Sequence, residues 1–363
     1  MNVETIIEHQ WPYLLSLLPS ELDLDLSARQ TGALLRKREV SSAEELLRLV
    51  LAYSLCGMPL RHVVAWAEVA GIASLSNVAL LKRLRKCDVW MGQILGLKLA
   101  ERAAPPDLIT AARRVRLVDA TFICHPGATM STWLVHLGYD LRRHSIDHIE
   151  LTDVHGGENL SRFKVSKGEL AVGDAAYANR RGIHSLVETG GEFIIKHNYS
   201  SLPLEKDFDL FNWLRELPDA KSESIEVCIK ADKKNGLSKL PVRIVALRKS
   251  EVAAEQARRK ILKLRSKNGK HAEARALEAA GYTCLLTNTS DELISSLEVL
   301  SLYKFRWQIE MAFKRLKSLL YIDDLPTKDP PVAKTYLYAK LLGALMLDDL
   351  TERFLAFSPW GYR

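Results

Sequence analysis

The stretch YKFRWQIEMAFKRLK, residues 303–317, predicts an amphipathic helix on which a single acid is set among cations. At ~100° per residue, five polar side chains fall within roughly 80° of one another, and the apolar side chains gather on a flank roughly 110° away. The polar face consists of Tyr303, Arg306, Glu310, Lys314 and Lys317. A carboxylate framed by cations suits a metal ion to which phosphates are brought. The pattern therefore indicates a place where nucleic acid meets a divalent ion.

Four of these residues carry a family resemblance. Their spacing, Tyr-x2-Arg-x3-Glu-x6-Lys, resembles the signature of bacterial insertion-sequence transposases of the DDE class, and is met by Tyr303, Arg306, Glu310 and Lys317. The resemblance implies an α/β, ribonuclease H-like catalytic core with a β-rich insertion and a helical N-terminal domain. It also implies that the tyrosine, the arginine and the lysines of this face, Lys314 included, hold phosphates of the transposon end.

Two further acids complete a candidate catalytic set. Asp119 lies inside the apolar run VRLVDATFI, where an isolated charge costs several kcal/mol unless it is paired or binds a metal. Asp174 follows the run LAVG, the position at which α/β sheets present ligand groups. Asp153 and Glu158 also follow a strand-like run, and both remain alternatives for the second acid.

The resemblance assigns chemistry to these acids. Asp119, Asp174 and Glu310 occur in the order of the family's three catalytic carboxylates, although Ala175 stands where many relatives have arginine. In that family the three acids hold two Mg²⁺ ions, for which Mn²⁺ can substitute. The ions serve hydrolysis at the transposon end and then attack of the freed 3′-hydroxyl on target DNA.

Composition narrows the class of protein. With 363 residues, 47% of them hydrophobic, the chain is long enough for two or three domains. It has no apolar run of 18 residues and no signal-peptide pattern, so we expect a soluble, cytoplasmic protein without a membrane partner. The net charge of +7 is concentrated in residues 248–275, where ten lysines and arginines face three glutamates, an excess that suits a polyanion.

Metal sites of other kinds are not indicated. The five cysteines are scattered, with no pair spaced as in a zinc knuckle. His144, His148 and His155 lie among strand-like residues, and we interpret them as structural or surface side chains. No phosphate-binding glycine-rich motif is present, which argues against an ATP-driven enzyme.

The chain divides into predicted regions by composition. Residues 1–105 predict a helical, DNA-binding domain that ends near Pro105-Pro106. Within it, residues 60–87 suit either a helix-turn-helix or an ordinary helical hairpin. Residues 106–197 and 291–350 predict the catalytic core. Residues 198–290 predict an insertion with a hairpin about Asn235-Gly236 and a basic helix, and residues 351–363 predict a tail.

The expected function is cut-and-paste transposition of a mobile insertion sequence. The expected partners are double-stranded DNA, as terminal inverted repeats and as target, and a second copy of the chain in a synaptic dimer. Two alternatives stay open: a catalytically inactive DNA-binding derivative, and a nuclease with the same core. Many members of the family continue further at the C terminus than residues 351–363 do here.

Overall fold

One eight-stranded sheet organises the molecule. The computed structural model describes residues 10–102, 114–128, 130–219, 221–267 and 269–356. The sheet order is β3-β2-β1-β4-β5-β8-β7-β6, with helices on both faces, so the fold is mixed α/β. The strands are β1 (Val115–Ile123), β2 (Trp133–Asp140), β3 (Ser145–Asp153), β4 (Leu170–Gly173), β5 (Glu192–Lys196), β6 (Ser222–Ile229), β7 (Leu240–Arg248) and β8 (Tyr282–Thr287).

The first five strands follow the predicted sequence of three strands and then alternating helix and strand. β1, β2 and β3 pair antiparallel as a meander, whereas β4 pairs parallel to β1, and β5 pairs parallel to β4. The parallel step from β4 to β5 needs a crossover, which helix α7 (Arg180–Glu188) supplies. Because β1, β4 and β5 run in the same direction, their carboxyl ends share one edge of the sheet.

The strands of the predicted insertion extend this sheet instead of forming a second one. β8 pairs antiparallel with β5, and the hairpin β6–β7 continues outward from β8. The predicted turn is confirmed, since Gly236 adopts φ +69°, a left-handed conformation that favours glycine. Three helices accompany these strands: α8 (Leu210–Glu216), α9 (Glu251–Lys267), which is the basic helix, and α10 (Ala274–Ala279).

The N-terminal region is helical, as predicted. Its helices are α1 (Trp11–Leu15), α2 (Leu24–Gln30), α3 (Ala43–Leu55), α4 (Leu60–Val69), α5 (Asn77–Leu84) and α6 (Asp88–Arg102). Ser42 and Ser76 cap α3 and α5 by accepting backbone N–H groups. Between α4 and α5 the chain turns at Gly71, which has φ +66°. Arg85, beyond α5, pairs with Asp329 at 2.7 Å, and Pro105-Pro106 lie outside the described residues.

The late helical segment departs from prediction. The sequence predicted a single helix capped by Asp291, and this prediction is wrong. Helix α11 (Ser296–Lys304) begins after Ser295, which forms a capping box with Glu298. A second helix, α12 (Trp307–Leu320), follows it. The two helices meet at Phe305 and Arg306, where the N–H groups bond to carbonyls three residues back. Backbone dihedrals there stay right-handed helical, so the polar face continues across the junction.

The last helix joins the N-terminal region to the core. Helix α13 (Pro330–Ala356) packs against α3 and α6, and it continues past the predicted core boundary at residue 350. One hydrophobic cluster includes residues of these helices, of α12 and of one sheet face, while a second lies on the opposite face. Within the described residues, no helix is both long enough and apolar enough to cross a bilayer.

Candidate active site

Asp119 lies within β1, which has β2 on one side and β4 on the other. Its neighbours Leu117 and Val118 belong to the hydrophobic clusters on opposite faces of the sheet. Because side chains alternate along a strand, Asp119 shares the face of Leu117, on which α12 packs. Its side chain is only 15% exposed. The fold therefore aims a largely buried carboxylate at the helix that carries Glu310.

Arg306 joins the first and third candidate acids. Its guanidinium donates to Oδ2 of Asp119 at 3.4 Å and, more closely, to Oε1 of Glu310. The same guanidinium lies 5.9 Å from the centroid of the Tyr303 ring. Residues 187 positions apart in the chain are thus brought to one cation. The sequence pattern placed Arg306 on the polar face with Glu310, but it predicted only a phosphate contact for this arginine.

Asp174 follows β4 at the carboxyl edge. Its Oδ1 accepts the N–H of Ala176 at 2.8 Å, which begins the short 3₁₀ helix Ala175–Tyr177. A Cβ on the preceding Gly173 would lie 3.1 Å from Val118 and 3.2 Å from the Tyr177 ring. This glycine therefore allows the buried tyrosine to pack directly beneath the loop that presents Asp174.

The three acids share one electrostatic environment. The pKa of Asp119 is raised to about 6, mainly by burial and also by the charges of Asp174 and Glu310. The Ala120 N–H and Arg306 lower it in part. A carboxyl whose proton affinity depends on two other acids must lie near both. Arg306 thus joins Asp119 to Glu310, and the charge of Asp174 also acts on Asp119.

A fourth acid, Glu158, belongs to the same neighbourhood. Its pKa is raised to about 7, first by burial and then by the charges of Asp174 and Asp119. Glu158 was an alternative for the second acid, and its response to the charges of Asp174 and Asp119 leaves that alternative open. The other alternative, Asp153, is exposed and accepts the N–H groups of His155 and Gly156, so it serves as a local cap.

A solvent-open cavity of about 550 Å³ lies between Asp119 on β1 and the polar face of α12. Its lining includes Asp119 on one side and Glu310, Lys314 and Lys317 on the other. The two lysines follow Glu310 by one and two helical turns, so they face the same space. An anion entering the cavity would meet these lysines beside the carboxylates.

The donors in this site suit a hard divalent cation, because Mg²⁺ and Mn²⁺ prefer carboxylate oxygen. In the conformation described, however, no group of three or more His, Cys, Asp or Glu side chains among the described residues is close enough to hold an ion. The guanidinium of Arg306 already lies against Asp119 and Glu310. The residue types fit the metal, and Arg306 has to shift for those two carboxylates to share it.

The histidines give no competing site. Burial is the main cause that lowers the pKa of His148 to about 4, and its ring packs 4.8 Å from that of Phe163. His155 is exposed, and His144 adopts φ +52° in a turn. Their interpretation as structural or surface residues agrees with these environments.

The raised pKa of Asp119 predicts a pH-dependent stability. Because its folded pKa of about 6 exceeds the ordinary 3.8, ionisation of Asp119 has no effect on stability below both values, destabilises the metal-free fold increasingly between them, and has its full effect above pH 6. We expect Asp119→Asn to raise the free energy of unfolding by about 2–3 kcal/mol at pH 8, at 1.36 kcal/mol per pKa unit. That gain should shrink as the pH falls towards 4. Urea unfolding in EDTA from pH 4.5 to 8 measures it, and a difference that is constant with pH would contradict the burial of this charge.

Comparisons with known proteins show the family to which the chain belongs. The family described as "Transposase DDE domain" matches residues 110–347. The transposase for insertion sequence element IS421 of Escherichia coli is 38% identical over 357 residues, covering 96% of each chain. The transposase for IS231F of Bacillus thuringiensis subsp. israelensis is 23% identical over 368 residues, covering 89% of this chain and 76% of that one. Among solved structures, a piggyBac transposase synaptic complex with hairpin DNA matches with a TM-score of 0.47 and 9% identity, covering 96% of this chain and 76% of that one. By the family match and the identity to IS421, the chain belongs to the DDE-domain transposases of insertion sequences, enzymes that cleave DNA and transfer its strands.

Proposed function

We propose that the chain catalyses cut-and-paste transposition through Asp119, Asp174 and Glu310. The observation that carries the proposal is the meeting of Asp119 and Glu310 at the Arg306 guanidinium, with the charge of Asp174 acting on Asp119. Asp119 on β1 and Glu310 on α12 line one solvent-open cavity, and Asp174 would join them from the end of β4. Carboxylates converging from distant parts of a chain are what metal-assisted phosphoryl transfer requires.

Two Mg²⁺ ions, or Mn²⁺ in their place, would be held by these carboxylates. When bound, such ions supply charge stabilisation for the attacking and leaving oxygens of phosphodiester transfer. Asp119 would be the central ligand, because the charges of both Asp174 and Glu310 act on its carboxyl. Arg306 would then release Asp119 and Glu310 and turn towards a DNA phosphate, keeping a positive charge beside the acids in both states.

The cationic face of α11 and α12 would hold the transposon end. Tyr303, Arg306, Lys314 and Lys317 all border the acids or their cavity. Lysine offers a point charge to phosphate, whereas arginine can donate two parallel hydrogen bonds, so Arg306 would fix orientation and the lysines would mainly add affinity.

The architecture supports a finer assignment. We infer a ribonuclease H-like core from the antiparallel meander β3-β2-β1 continued by parallel β4 and β5, with 198–290 inserted before α11 and α12. Residues 1–105 would form the helical DNA-binding region, with α4 and α5 as a helix-turn-helix. Terminal inverted repeats and target DNA would be the partners, and two copies would act together in a synaptic dimer.

Joining of DNA ends to a target tests the proposal. Purified protein with Mg²⁺, a transposon-end duplex and a supercoiled plasmid should yield products in which the 3′ end is covalently attached to the plasmid. Cleaved ends without joined product would favour a nuclease with the same core. End binding without cleavage would favour an inactive DNA-binding derivative.

A further inference from the structure

A second cleft, of about 650 Å³, opens at the carboxyl edge of the sheet beside the proposed active site. Its floor comes from the ends of β5, β7 and β8, and its walls come from α8, α9 and α10. Three lysines line it: Lys196 at the end of β5, Lys249 just after β7, and Lys260 on α9. Neither the catalytic acids nor the lysines of α12 are among its lining residues.

The cleft is positively charged and lacks counterions. No aspartate or glutamate lines it, and within the described residues none of the three lysines lies within 4.0 Å of a carboxylate oxygen. Lys249 donates to the carbonyl oxygen of Ala280 at 2.9 Å. Burial lowers the pKa of Lys249, and the charges of Lys196 and Lys260 lower it further. Cations held together without acids attract an anion that relieves their repulsion.

The cleft is continuous with the catalytic edge. Gly173 of β4 pairs with Ile195 of β5, so the next residues, Asp174 and Lys196, leave neighbouring parallel strands side by side. Ala175, directly after Asp174, lines the cleft. From β4 to β7 there are three strand spacings of ~4.8 Å, a span of roughly 14 Å. Along this edge the charge changes from acidic at Asp174 to basic at Lys249.

Helix α9 extends the positive charge away from the cleft. Lys260, Lys263 and Lys267 are exposed, and their spacing places them on one face of this helix within ~60°. The neighbouring arginines differ, since Arg258 and Arg259 pair with glutamates of the same helix. Lysines with no carboxylate partner among the described residues thus line the cleft and continue along α9. We call them the lysine track: Lys196, Lys249, Lys260, Lys263 and Lys267.

We propose that the lysine track binds successive phosphates of the DNA strand that passes Asp174 on its way out of the active site. The inference rests on the proposed function for the position of that strand, and it adds a DNA contact that begins at the end of β5 and continues on the insertion. Lysines spaced along a groove hold a backbone without reading its bases, so the track would position the strand and contribute affinity in any sequence.

Salt-dependent binding tests the track with the full chain in EDTA, where no cleavage occurs. The variant K196Q/K249Q/K260Q is compared with K164Q/K167Q/K239Q, which removes three exposed lysines preceding β4 and β7 at the opposite edge. Labelled end duplexes that extend only into the transposon, or only into the flanking DNA, are titrated at 50–200 mM KCl. We expect the first variant to bind one of the two duplexes at least about tenfold more weakly and its log Kd–log salt slope to fall by about 2–3, at ~0.9 per phosphate contact.

The two duplexes show which DNA segment contacts the lysine track. The duplex whose affinity falls identifies the side of the scissile phosphate that lies on the track, and a loss on both duplexes above that of the control assigns it to DNA spanning the site. Affinities and slopes equal to those of the control variant would overturn the proposal. Because Lys249 is partly buried, K260Q/K263Q/K267Q repeats the test with exposed residues only. Binding is measured without metal, so absent cleavage would weaken the proposed function and leave this result standing.

Discussion

Asp119→Asn is expected to lower the rate of Mg²⁺-dependent cleavage of a transposon end by roughly 10³-fold or more, because a lost metal ligand removes several kcal/mol of transition-state stabilisation. Asparagine keeps the size of the side chain and the oxygen that accepts the Ala120 N–H, but it removes the charge. Glu310→Gln should have an effect of similar size. Single-turnover cleavage of a labelled duplex at saturating protein measures the rate of the chemical step.

The matched control is Asp153→Asn. Asp153 is an exposed carboxylate at the end of β3 that caps a 3₁₀ turn, and it is not among the main causes that raise the pKa of Asp119. This variant should cleave within about threefold of the wild-type rate, and Asp119→Asn should still bind the end duplex. Cleavage by Asp119→Asn at the wild-type rate would remove Asp119 from the active site.

Asp174→Asn should abolish cleavage to the same extent, whereas Glu158→Gln should retain most of it. Both acids are coupled to Asp119, so burial and charge alone do not separate them. The position of Asp174 distinguishes it from Glu158. Asp174 directly follows β4, which runs parallel to β1, the strand that carries Asp119. Paired single-turnover assays of the two variants decide between them.

A reversed result would also be informative. If Glu158→Gln were inactive and Asp174→Asn active, the second acid would be Glu158 and Asp174 would be reduced to capping its 3₁₀ helix. Loss of activity in both variants would indicate a four-carboxylate site. The pKa of about 7 makes Glu158 the residue expected to titrate near neutral pH, so the pH profile of Glu158→Gln should differ from that of the wild type between pH 6 and 8.

The three candidate acids could be selected from the sequence because each stands out from its local pattern. Asp119 interrupts an apolar strand, and Glu310 is the one acid on a cationic helical face. Asp174 follows a short buried strand and a glycine. Such violations of local preference are costly, so they mark positions where a function is retained.

Other features depend on long-range packing that the sequence does not display. The contact of Arg306 with Asp119 joins residues 187 positions apart and arises only when α12 packs on β1. The junction at Phe305 and Arg306 contains no glycine or proline, so nothing in its composition indicates the change to bonds between residues three apart. Helix periodicity alone therefore predicted one helix where there are two.

The lysine track also depends on tertiary packing that the sequence does not display. Its basic composition predicted an affinity for polyanions, yet Lys196 and Lys249 come from strand ends 53 positions apart in the chain. They meet because β8 lies between β5 and β7. A hairpin can be predicted from Asn235-Gly236, but the strand to which it adds is fixed by tertiary pairing.

The central claim is that Asp119, Asp174 and Glu310 jointly hold divalent ions beside DNA. Isothermal titration of Mn²⁺ into the protein bound to an end duplex tests it most directly, with Asp119→Asn, Asp174→Asn and Glu310→Gln titrated in parallel. We predict two Mn²⁺ ions per active site in the wild type and the loss of at least one in each variant. Unchanged Mn²⁺ stoichiometry and affinity in all three variants would contradict the account.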